Sequence, residues 1–174
     1  MSPMFGRPTA EPAVGKASNG RFKESVWDYP RPPQIEPVDR PAVVIFAGHV
    51  IAECARPMRI IETAGAPTVY MPPDAVDLRT LRPTAGGSFC EWKGSASYFD
   101  VKLNGDAAAR AAWSYRNPTA AFASISGWIS FYPALVECRL GDEVVEPQPG
   151  GFYGGWVTAE ICGPIKGSPG STGW

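Results

Sequence analysis

The sequence predicts a mostly β fold of curved antiparallel sheets and short helices, framed by a Pro/Gly-rich N-terminal strap and C-terminal arm. Three observations predict it. Nineteen Gly and nineteen Pro fill about a fifth of the 174 residues, near twice their average share, and interrupt the chain too often for long helices. Eight Phe, six Tyr and six Trp supply the apolar area that a disordered chain lacks, so the Gly and Pro read as turns between short strands. Gly48-His49, Gly65-Ala66-Pro67 and Gly141-Asp142 each interrupt a pair of β-branched runs, as tight hairpins do. Successive hairpins pair strands that are neighbours in sequence, which favours a meander.

The elements follow in order. Residues 1–22 are small, polar and Gly/Pro-rich and read as a flexible tail, leaving 23–174 as a single β domain whose last part, from about 147, is an irregular arm. The segment VWDYPRPPQIEP is an extended strap whose Trp27, Tyr29 and Ile35 need a surface to lie on. Residues 43–47 and 50–54 form the first predicted hairpin, and 58–63 with 68–71 the second. In PPDAVDLRTLRP, Asp74 can cap a short helix that Pro83 ends. Tyr98, Asp100 and Lys102 alternate with Phe99, Val101 and Leu103, the clearest two-residue period in the chain. DAAARAAWSY fits a helix by propensity and a strand by context. Asn117-Pro118 opens a further short helix, GWISFY is a strand, and LVECRL and EVVEP flank the third hairpin. The arm is expected to be pinned by Phe152, Tyr153, Trp156 and Trp174.

Sixteen basic against seventeen acidic residues give a net charge of −1, with no electrostatic footprint for nucleic acid or an anionic membrane surface. There is no apolar run of spanning length and no signal-peptide core, so a cytoplasmic location is expected. Cys54, Cys90, Cys138 and Cys162 form no CxxC pair and there is a single histidine, so reduced thiols and no metal site are expected.

Chemistry concentrates in FCEWKGSASYFDV. Lys93 precedes a glycine that permits close backbone approach, Tyr98 follows on the coming strand, and Cys90 becomes a nucleophile if a cation lowers its pKa; a solvated lysine on a bulge and an inert thiol are the plainer readings. In RIIET, strand alternation puts Arg59 and Glu62 on opposite faces, so one of them points inward and must be paired or used. Tyr70 closes that hairpin as a pocket wall. Trp113 and Tyr115, with Trp92, Trp128, Phe131 and Tyr132, line an aromatic cavity or simply fill the core. His49, in a turn, reads as exposed and inert.

The blocks VVIFAGHVIAE, RIIETAGAPTVYMPPDAV, FCEWKGSASYFDV and GGFYGGWVTAEICGPIKGSPGSTGW, in that order, resemble a bacterial family known as domain of unknown function 427. The resemblance spans residues 26–174 and implies a Mss4-like β-tent fold, the group that includes methionine sulfoxide reductase B. It carries a nucleotidyltransferase label, although this chain has no glycine-serine turn followed by paired aspartates. The reductase likeness implies thiol chemistry, for which Cys90 with Cys138 or Cys162 would have to serve.

The reading that results is a cleft for an unidentified small anionic or polar ligand, lined by Arg59, Glu62, Tyr70, Lys93 and Tyr98, with Trp113 and Tyr115 beside them. Lys93 and Arg59 would contact the anion, and Glu62, Lys93 and Cys90 are the candidate catalytic groups. The sequence leaves any cofactor unidentified. A non-catalytic module whose aromatic arm docks a partner or a second copy, as in a homodimer, is the main alternative to nucleotidyl or thiol chemistry.

Overall fold

A computed structural model describes residues 8–10, 12–171 and 173–174. It is mostly β, with 3-10 turns as its only helical pieces among the described residues. One sheet has the order β12-β11-β3-β4, from Glu143–Val144, Glu137–Leu140, Ala42–Phe46 and His49–Cys54. A second has the order β10-β9-β8-β7, from Ile129–Phe131, Asp106–Ser114, Gly94–Leu103 and Leu81–Cys90. A third, β2-β5-β6, comprises Gln34–Pro37, Met58–Ile61 and Thr68–Tyr70. Met71 and Ile129 exchange both backbone hydrogen bonds, at 2.9 and 2.8 Å, and so join the third sheet to the β10 edge of the second.

Strand alternation then decides what each face of this joined sheet meets. Val69, Met71, Phe99, Val101, Ala112 and Phe131 enter one core with Val44 and Ile51 of the β3–β4 hairpin. Tyr70, Ala96, Trp113 and Tyr115 turn to the other face, where Ile60, Phe122 and Ile125 pack with them. Trp156 closes the first core at 1% exposure, its indole Nε1 donating to the Phe131 carbonyl at 2.9 Å.

Several local expectations shift. The first hairpin turns at Ala47-Gly48, both at positive φ, one residue before the expected Gly48-His49 pair, and exposed His49 starts β4 opposite Phe46. The helix expected in 73–83 is two 3-10 turns, Pro73–Ala75 and Leu78–Thr80, capped at Asp77 rather than Asp74, and Pro83 lies inside β7. DAAARAAWSY is a strand: Asn104-Gly105, at φ 52° and 86°, folds β9 back along β8, and burial of Ala111, Ala112 and Trp113 overrides alanine's helix preference. The turn expected after Asn117 is the 3-10 segment Ala120–Ile125, with Thr119 at its N-cap.

Strap and arm clasp each other. β1, Glu24–Ser25, pairs in parallel with β15, Ile161–Cys162; Trp27 Nε1 donates to the Pro164 carbonyl at 2.8 Å and its ring meets Trp174 edge-on at 5.4 Å. β13, Glu146–Pro147, pairs with β14, Trp156–Val157. The tail expected over 1–22 falls partly outside the described residues. Within them, Lys16 bridges Phe22, and Asn19 Nδ2 reaches Glu143 and Glu160 at 2.8 Å each, so this stretch folds onto the body. Phe152, expected as an anchor of the arm, stands 77% exposed because its backbone rounds the Gly150-Gly151 turn away from the core.

Candidate functional site

The face of the joined sheet opposite the main core opens into a cleft of about 490 Å³. Alternation puts Ile60 and Glu62 on it from β5 and its continuation, Tyr70 from β6, Tyr98 from β8, and Trp113 and Tyr115 from β9 and the residue after it. Cys90 and Lys93 come from the β7–β8 hairpin tip. Seven of the residues expected from sequence, Glu62, Tyr70, Cys90, Lys93, Tyr98, Trp113 and Tyr115, therefore share one cavity.

Tyr70 forms the floor and is fully buried. Its hydroxyl accepts from Trp113 Nε1 at 3.2 Å, and the two rings meet edge to face at 6.0 Å. Tyr132 stacks obliquely on Trp113 at 4.7 Å, and the Tyr98 hydroxyl lies 2.7 Å from Ser88 Oγ. Burial pushes the Tyr70, Tyr115 and Tyr132 hydroxyls above the ordinary phenol value, so at neutral pH the floor is lined by uncharged O–H groups.

Lys93 is held rather than loose. Its carbonyl accepts from Thr119 N at 3.2 Å, and Thr119 Oγ1 bonds the Trp92 carbonyl. Gly94, at φ 102°, lets Asn117 and Pro118 press against the hairpin tip; an added Cβ would meet Asn117 O at 3.2 Å. The close approach expected at this glycine is thus made by the chain itself. The Lys93 ammonium sits 5.8 Å from the centre of the Tyr115 ring and makes no ion pair among the described residues. Its charge partly offsets the burial that raises the Tyr70 hydroxyl's pKa. The half-buried Glu62 carboxylate on the wall has no hydrogen-bond or ion-pair partner among the described residues either.

Arg59 does not join them. The alternation that sends Ile60 into the aromatic cleft sends Arg59 to the opposite face, into a second cleft of about 580 Å³. There its guanidinium is taken up by Glu24 at 2.5 Å and by Glu36, Nε to Oε1, at 2.6 Å, while the Tyr29 hydroxyl donates to Glu24. Burial disfavours both charges, yet the pairing holds Glu24 below and Arg59 above their ordinary values. Arg40 binds Glu143 at 3.2 Å and Glu160 at 2.5 Å, and Arg21 binds Asp39, so every arginine of this cleft is already paired.

The thiol relay expected from the reductase likeness is not assembled. Cys90 alone of the four cysteines lines the aromatic cleft; Cys138 and Cys162 are buried elsewhere, their Sγ atoms 3.7 Å from the Val136 and Glu160 carbonyls. Among the described residues no group of three His, Cys, Asp or Glu side chains could hold a metal.

Sequence reasoning missed the wall that the arm provides. Gly154 lies flat on Trp113, where an added Cβ would fall 2.2 Å from Cη2, and Gly155 lies on Gln148. Gln148 fastens this turn by accepting from Ala66 N at 3.1 Å and donating to the Lys166 carbonyl at 2.8 Å. The available signal was the pair of glycine doublets around Phe152 and Tyr153.

The fold and the site define an all-β protein with an aromatic cleft, floored by neutral phenols and served by one unpaired hairpin lysine. The chain belongs to the family described as a domain of unknown function (DUF427), whose match covers residues 34–142. The matched segment contains all seven cleft residues named above and stops short of Gln148, Tyr153 and Lys166. No curated protein matches the chain. No helix among the described residues is long and apolar enough to cross a membrane.

Proposed function

We propose that this protein binds a small anionic ligand in the aromatic cleft, with Lys93 as the anion contact and the hydroxyls of Tyr70, Tyr98 and Tyr115 as donors and walls. The observation that carries this is Lys93: a cation on a braced hairpin tip, in no ion pair among the described residues, lining a cavity of ligand size. Such a charge can take up an anion without first giving up an ion pair, and the hairpin backbone that carries it is set before binding, which lowers the ordering cost. Glu62 and Cys90 stand within the same cavity as the groups available for proton transfer or nucleophilic attack on a bound ligand.

The test is a thermal-shift panel of nucleotides with and without magnesium, sugar phosphates, small carboxylates and methionine sulfoxide, on the wild type and on Lys93→Ala. A ligand at a hundred times its Kd adds about 2.7 kcal/mol, or roughly 5–10 °C for a chain of this size. A shift present in the wild type and lost in the variant is expected. No shift with any anion, or an equal shift in both proteins, overturns the reading.

A thiol reaction at Cys90 is the second reading, favoured by its half-exposed place in the cleft on the same hairpin as Lys93. Native-state alkylation by iodoacetamide at Cys90, suppressed by a cleft ligand, is its expected signature. Resistance of Cys90 to alkylation in the folded protein would end it.

A further inference from the structure

The mouth of the aromatic cleft is built in a way that anion binding alone does not explain. Phe89 is 75% exposed, Trp92 39% and Phe152 77%. All three line this cleft, the first two from the β7–β8 hairpin and the third from the Gly-rich turn of the arm. Large apolar side chains left in water forgo the gain of burial, and three around one cavity form a patch rather than scattered surface residues.

The floor carries the same chemistry inward. The Tyr115 ring lies beside Lys93, Trp113 lines the same cleft, and aromatic neighbours already meet in it at edge-on and oblique angles, the geometry in which a further planar ring is accepted. The ligand's charge must lie near Lys93, and its body must run outward between the two rim segments.

We infer that the ligand of this cleft is a planar aromatic anion, an aromatic ring bearing a carboxylate or a phosphate, whose charged group meets Lys93 and whose ring packs between the hairpin aromatics and Phe152. This rests on the anion-binding reading and narrows it. The rim side chains act as specificity determinants: they set the preference for a ring over an alkyl chain, and Lys93 sets the requirement for charge.

The experiment is isothermal titration of the full chain with four probes: indole-3-acetate, phenyl phosphate, octanoate and neutral indole. One or both aromatic anions bind at least about tenfold tighter than octanoate and indole, and whichever binds tighter identifies the charged group. Phe152→Ser and Trp92→Ser, both at solvent-facing positions, weaken the aromatic anion about tenfold and leave octanoate unchanged, with thermal stability as the folding control. Octanoate binding as tightly as the aromatic anions, in a manner dependent on Lys93, overturns the aromatic preference and leaves the anion site standing. Binding of indole without loss in Lys93→Ala, or no binding of any anion, overturns the anion site as well. A ligand-independent dimer that buries Phe89 and Phe152, seen by sedimentation and by loss of dimerisation in Phe152→Ser, would assign the rim to a second copy and overturn the proposal.

Discussion

Two clefts lie on opposite faces of one sheet, and they differ in how their charges are treated. The larger holds Arg21, Arg40 and Arg59, each engaged by a carboxylate, and its pairs tie the strap and the arm to the body. The smaller holds Lys93 and the Glu62 carboxylate, neither of them in an ion pair among the described residues, beside a floor of neutral phenols. A ligand entering the larger cleft has to displace ion pairs already made, whereas one entering the smaller meets a charge that has no counter-ion. Charge satisfaction separates a joint from the cleft proposed to take a ligand.

The contrast can be broken at several points. The largest effect is expected for Arg59→Met, which leaves Glu24 and Glu36 facing each other without their cation. Breaking fully buried pairs costs about 3–5 kcal/mol, and with these glutamates partly exposed about 2 kcal/mol is expected, read as a fall in melting temperature of roughly 4–8 °C. Anion binding in the other cleft should not change. An Arg59→Met protein of wild-type stability that has lost its ligand response would reverse the assignment of the two clefts.

Acid should loosen the same joint by a smaller step. Glu24 and Glu143 are held below the ordinary glutamate pKa: burial opposes this, but Arg59 and Tyr29 at Glu24, and Asn19, Ala159 N–H and Arg40 at Glu143, outweigh it. A depressed folded-state pKa gives stability that is fully present above the unfolded value of about 4.3 and drains away as pH falls through the folded value. Denaturation midpoints should be level from pH 7 to 5 and drop below about pH 4, with a shallower drop in Arg59→Met.

Gly154→Ala comes next. Its methyl would fall within 2.2 Å of the Trp113 ring, which has to move, at about 1–2 kcal/mol by equilibrium unfolding and with weaker ligand binding. The smallest effect on stability belongs to Lys93→Met, within about 0.5 kcal/mol of wild type, since no ion pair is lost. That variant should nevertheless lose the ligand response, and this divergence between stability and binding sharpens the comparison most.

What the sequence made legible follows the reach of its physics. Alternation in 98–103 and the Gly-Asp and Gly-Ala-Pro turns are local, and the strand and two hairpins read from them are present. The same rule separated Arg59 from Glu62, but which face would hold the cleft depends on Glu24, 35 residues upstream of Arg59, and no local period reports that distance. Asn104-Gly105 is a strong hairpin signal whose reading would have settled DAAARAAWSY as a strand. The wall supplied by Gln148, Tyr153 and Gly154 depends on an irregular arm returning across the sheet, and glycine doublets announce close approach without naming what is approached.

The clasp between strap and arm bears on the order in which the chain folds and opens. The bond from Trp27 to Pro164 spans 137 positions, and loop closure over such a distance carries a larger entropic penalty than any hairpin in the body. Contacts of this range form after the local ones and, with only two strand residues on each side, yield before them. The Glu24 amide, bonded to the Glu160 carbonyl, should therefore exchange its hydrogen faster than the amides of the central strands. Each such opening carries Glu24 away from Arg59, so the joint unfastens as one unit while the central sheet stays folded.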